Sequence, residues 1–317
     1  MTQAVRYLRP NELNYPDTLT RLYPGGSQLL HLEVGFGDGR FWAEHHKLES
    51  DANYLGVEVS GVSVQKALAR YRSKAVQNAI VVRTQAEFMV RNVLTEGSLA
   101  RVYVNFPDPW PKTRHEDARF LRPQVFELLS TRLVDKAEIW LTTDHPGYFE
   151  FALESAASTS LFDISKPAPP AAALQTKYAM KWQGMKLEIF HARFLKRAVS
   201  QQVFLSLVIG ETMPHSQLRG EIPAPPAEKI VFKGSGYTVI VLEGFAHQSK
   251  LALLTRIEEI DFTQEILITV AKHDDGRVVA GLESFGAPLI TPGVKAAVGV
   301  VTDWLEKQGL SVIQRSY

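Results

Sequence analysis

Short apolar runs alternate with longer amphipathic stretches over the N-terminal part of the chain. The apolar runs are short enough for buried strands and lie at residues 29–34, 54–59, 79–83, 100–106 and 138–143. Helical spacing is found between and after them, at residues 41–48, 63–75, 86–94, 120–133 and 147–158. This alternation predicts an α/β fold with a mostly parallel sheet and helices on both faces. A further strand at residues 187–195 is expected to close the sheet.

The pattern changes towards the C-terminus. Residues 165–173 are rich in proline and alanine and predict a loop, and the proline-rich residues 211–229 predict a linker. Further strands are predicted at residues 203–209, 230–233, 237–243, 265–271 and 277–283. One amphipathic helix is expected after Thr291, a plausible N-cap. We therefore predict an α/β domain over residues 1–197 and a small α+β domain over residues 198–317.

The amino-acid composition excludes several kinds of functional site. The 317 residues contain no cysteine, so disulfides and cysteine metal sites are excluded, and the histidines show no metal-ligand spacing. The formal net charge is only +1, so any nucleic-acid surface must be local. The basic groups include one at residues 66–83 and one at residues 112–122. No apolar run is long enough for a membrane span and no signal pattern opens the chain, which predicts a cytoplasmic protein. His45 and His46 are predicted to lie at the surface.

A glycine-rich loop follows the first predicted strand. Residues 33–39 read Glu-Val-Gly-Phe-Gly-Asp-Gly, and Gly35 and Gly37 allow a sharp turn and the close approach of a ligand. The spacing differs from the G-x-G-x-x-G of dinucleotide-binding proteins, which disfavours a nicotinamide-dependent oxidoreductase. The acids Glu33 and Asp38 suit a cationic cofactor, and S-adenosylmethionine carries a sulfonium and an ammonium group. A purely structural turn is the alternative.

Polar residues also follow the second and third predicted strands. Glu58 ends the second strand, where an acid commonly binds ribose hydroxyls, and one carboxylate accepts two such hydrogen bonds. A surface acid before a turn is the alternative for Glu58. Gln85 and Glu87 follow the third strand, where an adenine amino group would lie. Of these two, Gln85 is the better placed.

The most informative segment is residues 105–112, which read Asn-Phe-Pro-Asp-Pro-Trp-Pro-Lys. Its prolines fix the backbone and remove amide donors. They hold Asp108 and Trp110 at the carboxyl end of the fourth strand, the edge at which open α/β sheets bind ligands. Trp110 either stacks on a base or packs in the core. Lys112 follows directly and suits a nucleic-acid phosphate.

Asp144 follows the fifth strand and is expected at the same edge of the sheet as Asp108. Two acids there suit a reaction whose product is a cation. Guanine N7 has a free lone pair, so its attack on a sulfonium methyl needs no general base, and nearby carboxylates stabilise the positive charge that develops on the base. If Asp108 acted as a base instead, the target would be an amine or a hydroxyl.

These motifs together resemble those of the bacterial tRNA (guanine(46)-N7)-methyltransferases. The resemblance covers about the first 197 residues and rests on residues 32–37 (LEVGFG), 55–59 (LGVEV), 106–112 (FPDPWPK), 143–144 (TD) and 176–178 (TKY). It implies a Rossmann-like fold, S-adenosylmethionine as cofactor, tRNA as partner, and methyl transfer to N7 of guanine 46 in the variable loop.

The resemblance also implies roles for single residues. Glu33, Glu58 and Asp108 would contact the cofactor, with Gln85 at the family's third cofactor position. Asp108 would also be central to catalysis. The implied substrate contacts are Lys112, Asp144, Thr176, Lys177 and Tyr178. No metal is implied.

The chain departs from the family pattern at three places. Gln85 replaces an acid, Ala179 replaces the glutamate that usually ends the late motif, and residues 116–118 (EDA) interrupt the basic run. The resemblance does not cover the C-terminal domain, which is left open as a tRNA-binding, dimerisation or stabilising module. The oligomeric state, monomer or homodimer, is also open.

The sequence leaves two alternative functions open. The first is a methyltransferase that acts on an exocyclic amine or a small molecule. Such enzymes usually have two adjacent prolines in the motif after the fourth strand, and here Asp108 separates Pro107 from Pro109. The second is a non-catalytic RNA-binding protein that retained the fold. A measurement of S-adenosylmethionine binding distinguishes it from an enzyme.

Overall fold

The structure is a computed structural model, and it describes residues 5–17, 19–23, 30–110, 117–185 and 187–317. The chain divides into two compact units, Met1–Ser206 and Leu207–Tyr317. The division falls on the C-terminal side of the boundary predicted after residue 197. Each unit has its own sheet.

An eight-stranded sheet forms the centre of the N-terminal unit. Its strands are β1 (Arg6–Leu8), β2 (Leu30–Val34), β3 (Asn53–Glu58), β4 (Ala79–Arg83), β5 (Leu99–Asn105), β6 (Leu133–Thr143), β7 (Phe162–Ser165) and β8 (Phe190–Lys196). The strand order is β1-β4-β3-β2-β5-β6-β8-β7. The first six strands of this order are parallel, β8 is antiparallel to β6, and β7 is antiparallel to β8. The predicted mostly parallel sheet is confirmed.

Helices cover both faces of this sheet. They are α1 (Arg40–His45), α2 (Gly61–Ser73), α3 (Ala86–Phe88), α4 (Pro123–Arg132), α5 (Pro146–Thr159), α6 (Ala171–Leu174) and α7 (Lys177–Gly184). On one face, α1 contacts α2 and α6, and on the other, Phe126 of α4 contacts Phe162 and Phe194. The helix predicted at residues 86–94 is the short α3 followed by a π-helical turn. The loop predicted up to residue 173 is wrong at its end, where α6 begins.

Gly39 lies at the start of α1, and we expect its substitution to destabilise the fold. Its φ is +76°, and a Cβ added there would lie 2.8 Å from Ala67 Cβ and 2.9 Å from Tyr71 Cε1. We expect Gly39→Ala to lower the free energy of unfolding of this unit by about 2–4 kcal/mol, because it combines a left-handed backbone with overpacking. Gly37→Ala is the matched control, since Gly37 has a φ of +56° but no atom within 4 Å of such a Cβ. Urea unfolding checks this, and equal losses in the two variants would contradict it.

The C-terminal unit is an antiparallel sheet covered by one helix. Its elements are β9 (His215–Arg219), β10 (Ile230–Gly234), β11 (Tyr237–His247), β12 (Lys250–Glu259), β13 (Phe262–Lys272), β14 (Val278–Leu282), α8 (Pro292–Lys307) and β15 (Ser311–Ser316). The order is β10-β11-β12-β13-β14-β9-β15. Thr291 Oγ1 caps α8 by accepting a hydrogen bond from Val294 N at 3.3 Å. The predicted α+β unit with an antiparallel sheet is confirmed.

Two predictions in this region are wrong. Residues 203–209 form no strand, and Val203 and Leu205 are each 79% exposed. The linker predicted at residues 211–229 contains β9, which pairs with β14 and β15. The strands β12 and β15 were not predicted.

Candidate functional site

The glycine loop between β2 and α1 is fixed by backbone hydrogen bonds and one carboxylate. Gly35 N donates to Val57 O at 2.9 Å, and Gly39 N donates to Phe36 O at 3.0 Å. Glu58, at the end of β3, accepts from Gly37 N at 3.0 Å with one oxygen and from Ser60 N at 2.9 Å with the other. The structure therefore gives Glu58 a contact with the glycine loop in addition to its predicted role as a cofactor ligand.

Glu33 lies on β2 with its side chain buried, only 1% exposed. Tyr54 Oη donates to its carboxylate at 2.7 Å and lies 3.0 Å from Tyr71 Oη. Burial raises the pKa of Glu33 to about 8, although the Tyr54 hydrogen bond acts in the opposite direction. A buried acid of this kind ionises readily when a cation comes close. Glu33 is therefore suited to a positively charged ligand.

A cavity of about 410 Å³ opens beside Glu33 and the glycine loop. It is lined by Glu33, Gly35, Phe36, Gly37, Asp38, Arg40, Phe41, Ser63, Lys66, Arg70, Asn105, Phe106, Thr176, Lys177 and Tyr178. Asn105 Nδ2 is buried and makes no close hydrogen bond within the described residues, although the amide acts on the nearby Glu33 carboxyl and lowers its pKa. A buried acid and an amide donor in one cavity fit a ligand that carries both a cation and hydrogen-bond acceptors, as S-adenosylmethionine does.

The proline-rich segment after β5 is held by a buried arginine. Arg119 is 5% exposed, and its guanidinium donates to Pro109 O at 3.0 Å and to Trp110 O at 3.2 Å. It also lies over the ring of Phe151, 4.6 Å from the centroid. The sequence placed Arg119 in a basic group for nucleic acid, whereas the structure assigns it to the support of the segment that carries Asp108. Trp110 is 42% exposed, so it does not pack in the core.

Phe106 brings an aromatic ring to the cavity from this same segment. Its φ of +51° is unusual for a residue other than glycine, and its N donates to Thr142 O at 2.7 Å. The ring lies 6.5 Å from that of Tyr178, at an angle of 29°. Tyr178 is half exposed and belongs to α7. The pair offers a surface on which a planar base can stack.

Thr176 positions the start of α7. Its Oγ1 accepts from Ala179 N at 3.3 Å and donates to Ala173 O at 2.9 Å, which is the geometry of an N-cap. Ala179, at the position of the family's glutamate, is fully buried. The late motif is therefore placed at the cavity by a cap and a packed alanine, with no carboxylate at residue 179.

The structure brings together some of the predicted site residues and leaves others apart. Those at the cavity are Glu33, Gly35, Gly37, Thr176, Lys177 and Tyr178. Those that do not line it are Glu58, Gln85, Asp108 and Asp144. Gln85 and Asp108 are exposed, and Asp144 is partly buried after β6. Lys112 lies outside the described residues. Glu87, the second candidate for adenine, is paired with Arg122 at 2.6 Å.

A buried aromatic and histidine cluster lies on the same sheet face as Glu33. Tyr103 Oη is 3.0 Å from His31 Nδ1 and 3.2 Å from His45 Nε2. The prediction that His45 lies at the surface is wrong, since the side chain is only 4% exposed. Burial lowers the pKa of His31 to about 3 and that of His45 to about 4, so both are neutral at pH 7. This cluster could not be predicted from the sequence, because its members are far apart in the chain.

Within residues 5–17, 19–23, 30–110, 117–185 and 187–317, no helix is long and apolar enough to cross a bilayer. Across the same residues, no group of three or more His, Cys, Asp or Glu side chains is arranged to hold a metal ion.

Comparison with known proteins agrees with this geometry. The family described as "Putative methyltransferase" matches residues 27–192. A tRNA (guanine-N(7)-)-methyltransferase of Deinococcus radiodurans is 40% identical over 98% of this chain and 99% of its own. One of Thermus thermophilus is 43% identical over 90% of this chain and 91% of its own. One of Thermotoga maritima is 28% identical over 88% of this chain and 90% of its own.

These alignments extend through both units, so the C-terminal unit is shared with the first two relatives and is not peculiar to this chain. The predicted methyltransferase fold and the S-adenosylmethionine cofactor are confirmed. The chain belongs to the tRNA (guanine-N7)-methyltransferase family.

Proposed function

We propose that this protein transfers the methyl group of S-adenosylmethionine to N7 of guanine 46 in the variable loop of tRNA. The observation that carries the proposal is the cavity in which the buried carboxyl of Glu33 and the buried amide of Asn105 lie together with the ring pair of Phe106 and Tyr178. One part of this cavity suits a cationic cofactor and another suits a planar base. The names of the relatives supply the position of the methyl group on the base.

The reaction needs alignment more than proton transfer. When bound, S-adenosylmethionine would supply an electrophilic methyl group with S-adenosylhomocysteine as its leaving group. Guanine N7 offers a free lone pair to that methyl group, so no proton has to be removed. The residues of the protein therefore act by positioning the base and by electrostatics. Phe106 and Tyr178 orient the plane of the base, and Thr176 and Lys177 lie beside them.

Two carboxylates are proposed to stabilise the positive charge that develops on the methylated base. Asp108 follows β5 and Asp144 follows β6, and these strands are paired up to Asn105 and Thr142. Both acids therefore belong to the same edge of the sheet. Carboxylates there also accept hydrogen bonds from guanine N1–H and its 2-amino group. Asp108 is proposed in addition as a cofactor contact, with Glu33, Glu58, Gly35, Gly37 and Gln85.

Two further predictions stay proposals. Lys112 is proposed to bind tRNA phosphate, and the location is proposed to be the cytoplasm. The oligomeric state, monomer or homodimer, is open.

The test is methyl transfer from labelled S-adenosylmethionine to unmodified tRNA. The product is mapped by borohydride reduction and aniline cleavage, which cuts the chain at 7-methylguanine. We expect one cut in the variable loop, and none in a control tRNA that carries adenosine at position 46. A cut elsewhere would overturn the assignment of guanine 46. No incorporation, with cofactor binding intact, would overturn tRNA as the substrate.

A further inference from the structure

Three basic side chains of α2 form a stripe along one face of the helix. Lys66, Arg70 and Lys74 recur every four residues, so they lie one above the other on the same face of a helical path. Lys74 is the C-cap residue of α2. With a rise of about 1.5 Å per residue, the stripe is about 12 Å long. That is long enough to contact more than one phosphate of an extended strand.

The stripe connects the cofactor cavity with a second cavity. Lys66 and Arg70 line the first, and Arg70 and Lys74 line a cavity of about 440 Å³ next to it. Arg40 and Arg70 line both, so the two are adjacent. A ligand that followed the stripe would therefore pass continuously from one cavity to the other.

Positive charge along this path exceeds the negative charge. Arg40 and Arg70 share one carboxylate, that of Asp38, at 2.9 and 3.0 Å. Lys74 shares Glu44 with Lys47, at 3.3 and 3.5 Å. Such partly exposed ion pairs contribute at most about 1 kcal/mol, so Lys74 can exchange its carboxylate for a phosphate at little cost.

Lys66 is exposed and has no ion pair among the residues that the structure describes. The single carboxylate of S-adenosylmethionine cannot use all three cations of the stripe. A polyanion that continues beyond the cofactor cavity can.

We propose that Lys66, Arg70 and Lys74 bind the sugar–phosphate backbone of the RNA next to the methylated guanine. The proposal rests on the function proposed above, because it takes RNA as the substrate. Phosphate contacts of this kind fix the register of a nucleic acid and contribute affinity without reading the sequence. The stripe would therefore hold the strand so that the target base reaches the cavity.

The experiment compares Lys66→Gln/Lys74→Gln with Arg72→Gln in filter binding to unmodified tRNA over a range of salt concentrations. Arg72 lies on the same helix, carries the same charge and is exposed, but it lies off the stripe. Arg70 is left intact because it holds the glycine loop through Asp38. Calorimetry with S-adenosylmethionine shows that the cofactor site of each variant is folded.

We expect the double variant to bind tRNA about tenfold more weakly than wild type at moderate salt. The slope of log affinity against log salt should fall in magnitude by about 1.4, or about 0.7 for each lost single-strand phosphate contact. Arg72→Gln should stay close to wild type on both measures. If the double variant matched Arg72→Gln while wild type methylates tRNA, the stripe would be excluded and the proposed function would stand. If wild type neither bound nor methylated tRNA, the proposed function itself would fail.

Discussion

Asp108→Ala is expected to abolish measurable methyl transfer, a loss of at least about 100-fold in rate, while the protein stays folded. The carboxylate is proposed to stabilise the positive charge on the methylated base, and removal of one such preorganised group typically costs about 10²–10³ in rate. Asp108 is exposed, so its loss removes no buried contact, and the free energy of unfolding should change by less than about 0.5 kcal/mol. Single-turnover rates at saturating cofactor and tRNA, together with urea unfolding, measure the two effects.

The matched control is Asp51→Ala, an exposed acid just before β3, at the opposite edge of the parallel sheet from residues 105–110, which follow β5. It should keep the wild-type rate. Asp108→Asn tests charge at nearly constant shape and should lose almost as much as alanine. Near-normal single-turnover rates in both Asp108 variants would remove this residue from the mechanism. Weaker cofactor binding with a normal rate at saturation would assign Asp108 to the cofactor alone.

The site could be predicted from sequence where its chemistry lies in local motifs. The glycine loop and the proline-rich segment each follow a strand, and the rule that ligands bind at the carboxyl edge of parallel strands brings them together. Glu33 was placed at the cavity in this way, and Tyr178 by the late motif of the family resemblance. Their electrostatics could not be predicted, because the pKa of Glu33 depends on Tyr54 and on burial by residues that are distant in sequence.

The roles of other side chains depended on partners far along the chain. His45 resembles a surface residue of a short helix, but Tyr103 and His31 surround it in the folded sheet. Arg119 resembles part of a basic patch, but it donates to two carbonyl groups of the proline-rich segment. Neither the charge of a residue nor the local hydrophobic periodicity indicates these contacts.

Some strands of the C-terminal unit also could not be predicted, because they depend on partners that are distant in sequence. The strand β9 has only two inward-facing residues, Ser216 and Leu218, and it forms because β14 and β15 pair with it on either side. Residues 203–209 form a nearly continuous apolar run, as a buried strand would, yet they remain outside any sheet. The strand β12 was missed because its outward positions, such as Ala252 and Leu254, are themselves apolar and weaken the alternation.

Cofactor binding is expected to release close to one proton at pH 7, and Glu33 is expected to be its source. Burial holds the pKa of this carboxyl at about 8, so it is mostly protonated in the free protein at pH 7. A bound cation favours the ionised form and lowers that pKa. The measurement is calorimetric titration with S-adenosylmethionine in phosphate and in Tris, because a released proton makes the observed enthalpy depend on the ionisation enthalpy of the buffer.

The sign of the pH dependence follows from the same linkage. Because Glu33 must lose its proton to bind a cation, affinity should rise by up to about tenfold per pH unit below pH 8 and level off above it. Glu33→Gln keeps the size of the side chain and an oxygen that accepts from Tyr54, but it has no proton to release. The ammonium group of the cofactor titrates equally with both proteins, so the difference between them isolates residue 33. Equal buffer dependence in wild type and Glu33→Gln would show that Glu33 does not change its protonation state when the cofactor binds, and would contradict this prediction.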